Sequence, residues 1–581
     1  MLKRAFLVST LVALAASGST AVSLAAGRHG GGFGFGAAPE AIIPASADLY
    51  VGLNLEGAQG AALSQLWAAY QTHPGTAAAL AHLQTALGRT SLLPASRLLS
   101  SFGARVGIAI WTPGATGPAA QPGATGPAAQ LRAGPTARLR AGPAAQPRVA
   151  LVAPLRVSTF LSGTGPLAGL ASFSPIASYL GTTVYRVTFR DGGTAYGEIV
   201  AGDGVLTTDL DTAERVVDAA TFHLPALATS AGFVTATAQL PQPRALTFYV
   251  TPHFFRRVAA RGANGALPGQ APMVPGALQQ PYAGAVVAAP DGLSIVSSVQ
   301  HVSPGLLHLS PNAGASVVGS NALLYASVDD LAAMLASPGV LPANALTRLQ
   351  VQSGIAVQRD ILPLIRHEVV VDVNDEVSDV LLVAREASAG SSQTVPALPG
   401  SIELATWVDE PGAAEQSVAR LVAAISRLVR QQGLGASAGP PVIKMTLPDG
   451  STAYGIRALP GVSYTVRGHW LLLSTSLRAD LSAARVPLAA DAGYQAALAR
   501  LAGAGPLVSV EYTNVTRLLT VVDAWLAFVK SRPSTGIAPG TFSTWRQQIK
   551  PLIAPLHSIV AVARRVGASG EQGRTFITIK P

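Results

Sequence analysis

One heptapeptide recurs in the two halves of this chain. Residues 191–197 read DGGTAYG and residues 449–455 read DGSTAYG. Alternating apolar residues precede each copy and a second short strand follows it. The Asp-Gly pair between them tolerates positive φ and closes tight turns. Each copy is therefore predicted to be a β-hairpin, and the pair indicates that the chain contains two diverged copies of one unit.

Further pairs of segments occur in the same order in both halves. After each hairpin, a short strand leads into a predicted helix with Asp209 or Ser476 at the N-cap, where a side-chain oxygen accepts from backbone N–H groups. Because register decides which side chains enter the core, paired positions are expected to be buried alike. The pairs are Val187 with Met445, Leu206 with Leu473, 49–53 with 324–328, 245–250 with 506–511, 285–289 with 559–563, and 293–299 with 575–579.

Strands outnumber helices in each copy, and tight turns join many of them. The expected fold class is α+β, with two tandem homologous units, each a largely antiparallel sheet with helices on one face. The predicted first unit is 41–302, followed by a linker at 303–320 and a second unit at 321–581. Residues 149–152 match either 380–384 or 402–408 in the second copy, and the sequence leaves both alternatives open.

The first residues predict the compartment. Lys3 and Arg4 precede an apolar run at 5–16 and small residues at 17–26, which is the order found in secretory signal peptides. We expect a signal peptide at 1–26, or an uncleaved N-terminal membrane anchor, followed by a Gly-rich linker at 27–40. The expected location is extracytoplasmic, either secreted or in the cell envelope.

Composition narrows the chemistry. The chain has no cysteine, which excludes disulfides, thiolate nucleophiles and Cys-ligated zinc. Its net charge of +10 is spread over 581 residues without a basic run interleaved with aromatics, so no nucleic-acid binding is expected. A mildly cationic surface is compatible with anionic envelope polymers, or another envelope protein, as partners.

The candidate catalytic and metal-binding motifs lack the flanking residues or elements that their chemistry requires. Ser437 lies in a G-x-S-x-G at 435–439, but a helix precedes it and two prolines follow, unlike a nucleophile elbow. The acidic run with Asp372, Asp375, Glu376 and Asp379 lacks the glycine and distal glutamate of a calcium loop. The histidines are scattered, and Tyr196 and Tyr454 are expected to pack under their hairpins. No catalytic, cofactor-binding or metal-binding residue is therefore predicted.

Three segments carry a family resemblance: ADLYVGLNLEG at 47–57, GARVGIAIW at 103–111 and VLTTDLDTAERVVDAA at 205–220. With the preceding signal, they resemble the bacterial domain of unknown function family 3352, over nearly all of 41–581. The resemblance implies an exported or membrane-tethered α+β protein and assigns no activity. The leading hypothesis is a non-enzymatic binding or structural module, and the alternative is an exported hydrolase with a site in the cleft between the two units.

The segment 113–147 repeats PGATGPAAQ and LRAGP with no apolar periodicity, which is typical of a disordered surface insertion. Deleting it should leave the thermal midpoint within about 3 °C, because such loops contribute little to a core. Differential scanning calorimetry of the deletion variant beside the full chain measures this. A collapse of expression or of the midpoint would show that the segment is part of the folded structure.

Overall fold

In the computed structural model, the fold is described for residues 38–88, 105–112, 147–154, 171–189, 192–262, 280–300, 312–336, 350–351, 353–375, 401–431, 441–447, 450–459, 461–475, 486–501, 507–530, 539–566 and 570–580. The predicted signal peptide, most of the linker at 27–40, nearly all of the insertion at 113–147 and Ser437 lie outside these residues. The protein is α+β and its strands form a large antiparallel sheet.

The described chain divides into two compact units. One contains residues up to Ala69 with Leu80–Pro290 and Ile295–Gln300, and the other contains Tyr70–Ala79, Asp291–Ser294 and the residues from His301 onward.

As far as Gln300, the described residues form ten strands and five α-helices. The strands are β1 Leu49–Asn54, β2 Arg105–Trp111, β3 Arg148–Pro154, β4 Ala171–Tyr179, β5 Thr182–Phe189, β6 Thr194–Val200, β7 Asp203–Thr207, β8 Leu246–Val250, β9 Tyr282–Ala289 and β10 Gly292–Gln300. The helices are α1 Gly57–Thr72, α2 Thr76–Gly88, α3 Leu210–Ala220, α4 Ala231–Thr237 and α5 Pro252–Gly262.

Strand β1 lies inside the first sheet, between β2 and β8. Hydrogen-bonded neighbours follow the order β10-β9-β8-β1-β2-β3-β7-β6-β5-β4. Directly paired residues point to the same face, so Tyr50, Ala109, Ala150 and Thr207 form one row across four strands. This row marks the face on which the helices pack.

Helix α3 covers that face. Its N-cap is Asp209, as predicted, whose Oδ1 accepts from the Thr212 N–H at 3.0 Å. Val216 and Val217 are fully buried against the apolar side chains of the strands. Burial of each valine stabilises the fold by roughly 1.5–3 kcal/mol, which outweighs the weak helix propensity of valine.

From residue 312 onward the described residues form another ten strands. They are β11 Ala322–Val328, β12 Val369–Asn374, β13 Ile402–Trp407, β14 Val442–Thr446, β15 Thr452–Ile456, β16 Ser463–Arg467, β17 Trp470–Ser474, β18 Leu507–Asn514, β19 Leu556–Val566 and β20 Gly570–Ile579. The helices are α6 Leu331–Ala336, α7 Pro411–Gln431, α8 Ala492–Ala499, α9 Val515–Lys530, α10 Pro539–Thr544 and α11 Lys550–Ile553. Neighbouring strands follow the order β20-β19-β18-β11-β12-β13-β17-β16-β15-β14.

Helices contact both faces of the second sheet, so the expectation of helices on one face is wrong there. Tyr494 of α8 packs on Tyr325, which shares a row with Asp372, Glu403 and Ser474. Helix α7 packs instead on Leu471 and other residues of the opposite face. The apolar stripe of α7 requires a second apolar surface, and the alternation of β17 supplies one.

The two heptapeptides lie at different places in their sheets. Tyr196 lies on β6, which pairs directly with β7, opposite Thr207. Tyr454 lies on β15, opposite Tyr464, and β16 separates β15 from β17. The expected equivalence of the hairpins is therefore wrong. In the second unit the chain turns back after Ile456, whereas β6 continues to Val200.

Equal burial is wrong for two of the matched pairs, Val187 with Met445 and Leu206 with Leu473. Val187 and Leu206 are buried, but Met445 and Leu473 are only half-buried. Met445 lies on β14, the edge strand of the second sheet, which among the described strands pairs only with β15. The turn glycines Gly192 and Gly450 are exposed with positive φ, as the Asp-Gly turns require.

Two of the carboxyl groups buried in the first unit have no hydrogen-bond partner among the described residues. Glu198 and Asp203 have no solvent exposure, and no described residue bonds to their side-chain oxygens. Burial, reinforced by the negative charge of Glu214, raises the pKa of Glu198 to about 9. Burial raises the pKa of Asp203 to about 7, against the opposing effect of Arg105. Both groups therefore keep their protons below neutral pH.

This arrangement predicts a loss of stability at alkaline pH. The unfolded chain releases the Glu198 proton near 4.5, whereas the folded chain holds it to about 9, so the stabilisation present at low pH is lost as pH rises through this range. Above pH 7 Asp203 no longer contributes, and the slope should be about 1.4 kcal/mol per pH unit. Urea unfolding from pH 7 to 9 measures it.

Glu198→Gln should flatten the profile in that window, since glutamine does not titrate, and Asp203→Asn is the matched control that should leave the slope in place. An unchanged slope in Glu198→Gln would assign the pH dependence to other groups.

Candidate functional site

A pocket of about 200 Å³ opens in the first unit, where β1 ends beside the starts of β2 and β8. Polar and apolar side chains share its wall, as in many small-molecule sites. The lining residues are Ala38, Pro39, Glu40, Tyr50, Gly52, Leu53, Asn54, Arg105, Val106, Gln242, Arg244 and Thr247.

Tyr50 forms the inner wall of the pocket. Its hydroxyl donates to Glu40 Oε2 at 2.8 Å, and burial with this nearby carboxylate holds the pKa of Tyr50 well above its usual range. Gly52 allows the ring to lie along the strand, because a Cβ at this position would be 2.4 Å from the Tyr50 hydroxyl oxygen. The phenol therefore stays neutral and fixes one oxygen of Glu40.

Two aromatic rings hold Tyr50 in place from behind. The Phe233 ring packs edge-on against Tyr50, with 5.9 Å between the ring centres. The same Phe233 ring also packs edge-on against Tyr249, with 5.3 Å between the ring centres. Phe233 is positioned by the N-cap of α4, where Ser230 Oγ accepts from its backbone N–H. Edge-to-face pairs of this kind contribute about 0.5–1.5 kcal/mol each beyond their area, so this wall is rigid.

Two guanidinium groups face the same pocket. Arg105 pairs with Glu56 at 2.8 Å, and its buried Nε has no hydrogen-bond partner among the described residues. Buried Nη1 of Arg244 is likewise without a partner in the described part of the chain. Burial lowers the pKa of Arg244, and the charge of Glu40 opposes that shift. Arginine stays protonated at neutral pH, so both groups present charged N–H donors.

The residues singled out in the sequence do not converge. Asp372 is buried on β12, directly opposite Tyr325 and Glu403, whereas Asp375 lies 3.7 Å from Arg517. Glu376, Asp379 and Ser437 are outside the described residues. Within the described ranges no group of three His, Asp or Glu side chains is arranged to hold a metal ion. The structure therefore brings together none of these candidates.

Sequence reasoning missed the pocket. The available signals were weak: Gly52 interrupts an apolar strand, and Arg105 begins one. Arg244 and Glu40 lie far apart in the chain, and only the pairing of β1 with β8 and the position of the turn before β1 bring them together. No local spacing encodes that proximity.

Comparisons with known proteins give little. No family model and no curated protein matches the sequence. Two crystal structures of TP0453, in forms IV and I, match 45% of this chain and 80% and 78% of theirs, at 10% identity and TM-scores of 0.24 and 0.20. Similarity at that level carries no argument about fold or function. None of the described helices is both long and apolar enough to cross a membrane.

Proposed function

We propose that this chain is an exported protein of the bacterial cell envelope that acts as a non-enzymatic binding module and is built from two homologous α+β units. The binding role is carried by one observation, the first-unit pocket lined by two arginines that each hold one buried nitrogen, Arg105 Nε and Arg244 Nη1, without a partner among the described residues. Leaving such donors unsatisfied costs about 1–3 kcal/mol each, a cost that a bound ligand offsets. Export is supported by the signal-like N-terminus and by the resemblance to the domain of unknown function family 3352.

Strand order supports the homology of the units. Adding ten to each strand number converts the order of the first sheet into that of the second, from β10-β9-β8-β1 to β20-β19-β18-β11 and onward to β4 and β14. The equivalence assigns residues 149–152 to the counterpart of β13, since β3 lies between β2 and β7 and β13 lies between β12 and β17.

Matching backbone bonds support it further. The Leu227 N–H donates to Ile43 O at 2.7 Å, and the Leu488 N–H donates to Val318 O at 2.9 Å. Each leucine is fully buried and begins a short 3₁₀ turn ahead of the helix that carries the central aromatic ring. The aromatic wall also recurs, as Tyr325, Tyr494 and Tyr512.

A compensating exchange of volume is typical of diverged copies. Gly107 on β2 faces Pro39, and a Cβ on that glycine would lie 2.4 Å from the proline. Val370 takes the equivalent strand position on β12 and faces Gly314, where an added Cβ would lie 2.2 Å from the valine. Large and small residues have changed sides while the packed volume is kept.

Binding is favoured over the alternative, hydrolysis, by the surroundings of His253. Its Nδ1 lies 2.8 Å from Asp48 Oδ1, as in a catalytic dyad. Its Nε2, however, accepts from Arg257 Nε at 3.1 Å. A general base needs that nitrogen for the nucleophile, so this pair holds helix α5 against the strand and does not activate a hydroxyl.

Export predicts a mature protein outside the cytoplasm with its N-terminus near Ala26. Expression in a bacterial host, fractionation and N-terminal sequencing measure this, and a chain lacking residues 2–26 is the control that should stay in the cytoplasm. Full-length protein in the cytoplasm would contradict export, and an intact Lys3-Arg4 in the membrane fraction would replace the cleaved signal by an anchor.

The binding role predicts saturable binding of small polar molecules by the full chain in saturation-transfer difference NMR. Gln242→Trp should reduce the signal about tenfold, because this exposed rim residue would cover the mouth of the pocket without entering the core. Gln239→Trp, exposed and outside the pocket, is the matched control. Equal binding by both variants would place the ligand elsewhere.

A further inference from the structure

The second unit holds a buried carboxylate beside its counterpart of Tyr50. Glu368 is 1% exposed and accepts from the N–H groups of Ala313 and Gly314 at 2.9 and 3.0 Å. The hydroxyl of Ser327 donates to it at 2.6 Å. Three donors converge on this carboxylate, so the second unit fills an oxyanion site with its own side chain.

Strand register gives the equivalent place in the first unit. Gly52 pairs with Gly107 on β2, and Ser327 pairs with Val370 on β12. Arg105 precedes Gly107 by two residues, as Glu368 precedes Val370, so a cation occupies the strand position of the carboxylate. Pro39 and Gly52 replace Gly314 and Ser327, which removes two of the three donors.

In the first unit, an open pocket and a second guanidinium group take the place of the donors that surround Glu368 in the second unit. In the first unit Gly52 and the Tyr50 ring that lies over it line an open pocket, whereas Ser327 and Glu368 fill the equivalent place in the second unit. Arg244 contributes a guanidinium, whereas the equivalent residue in the second unit is Leu507. The equivalence follows from two matching backbone bonds, from Asn54 N–H to Ala245 O and from Asp329 N–H to Val508 O. Arg244 and Leu507 each come directly before the acceptor residue. The lining carries two cations, Arg105 and Arg244, and one anion, Glu40, and Tyr50 already engages one oxygen of Glu40. Glu56 pairs with the outer nitrogen of Arg105 at 2.8 Å, so the donors that have no described partner are Arg105 Nε and Arg244 Nη1.

We infer that the first-unit pocket binds an external oxyanion, held by Arg244 and Arg105, in the place that the Glu368 carboxylate occupies in the second unit. The inference rests on the proposed binding function and specifies its ligand class. Ala38, Pro39, Leu53 and Val106 give the pocket an apolar wall, which fits a small carboxylate with a short hydrocarbon body. A phosphate monoanion shares the recognition chemistry but not the apolar contact.

Saturation-transfer difference NMR of the full chain with butyrate and with its neutral isostere butyramide tests the charge. Butyrate should bind saturably and about tenfold more tightly than butyramide, because a guanidinium bonds more strongly to an ionised acceptor. Inorganic phosphate, followed by ³¹P line broadening, distinguishes a carboxylate ligand from a phosphate ligand. Phosphate is expected to compete with butyrate for the pocket and to bind more weakly than butyrate. Tighter binding of phosphate would overturn the carboxylate assignment.

Arg244→Leu should weaken butyrate binding about tenfold, and Arg244→Lys less, because lysine keeps the charge without the planar fork. Leucine is the residue at the equivalent position of the second unit, so the variant should fold, and its circular dichroism and thermal midpoint check this. Arg256→Leu, exposed on α5, is the matched control and should bind like the original chain.

The outcomes separate the two proposals. Equal binding of butyrate and butyramide, both lost in Gln242→Trp, would keep the pocket as a binding site and overturn the oxyanion. Butyrate binding unchanged in Arg244→Leu would overturn the inference as well. Failure of every probe and of the wider set of small polar molecules would overturn both.

Discussion

Pairing of one central strand on both sides is the constraint on which each unit depends. β1 lies between β2 and β8, and β11 lies between β12 and β18, so the backbone groups on both sides of these strands pair with a neighbouring strand along most of their length. Both strands carry a tyrosine on the helix-covered face, Tyr50 and Tyr325, each about 1% exposed. Since a buried phenol needs a partner for its hydroxyl, the turn that precedes each strand must supply an acceptor, Glu40 or Asn312.

Much of the fold follows from local pattern. Alternation predicted the strands, and the cap at Asp209 predicted the start of α3. The repeated heptapeptide misled in detail, because an Asp-Gly turn specifies a hairpin but not its neighbours in the sheet. Only the pairing of β16 between β15 and β17 separates the two hairpins, and that pairing leaves no mark within the heptapeptide.

The pocket was beyond sequence reasoning for a different physical reason. Its charged residues come from three segments far apart in the chain, and their proximity depends on β1 being central. Arg105 alone resembles a solvated charge at the start of a strand, and Arg244 resembles a loop residue. A cation becomes informative only when its N–H groups are buried without a partner, which is a property of the fold.

The two units satisfy their buried polar groups in different ways. Glu368 accepts three hydrogen bonds within its own chain and fixes the turn at Ala313–Ser316 against the strands. In the proposed equivalence of the units Arg105 takes the place of Glu368, and the first unit has a pocket there instead of an internal anion. Cavities with unsatisfied donors persist where function opposes their loss, which is why the less stable of the two arrangements is the one we assign to binding.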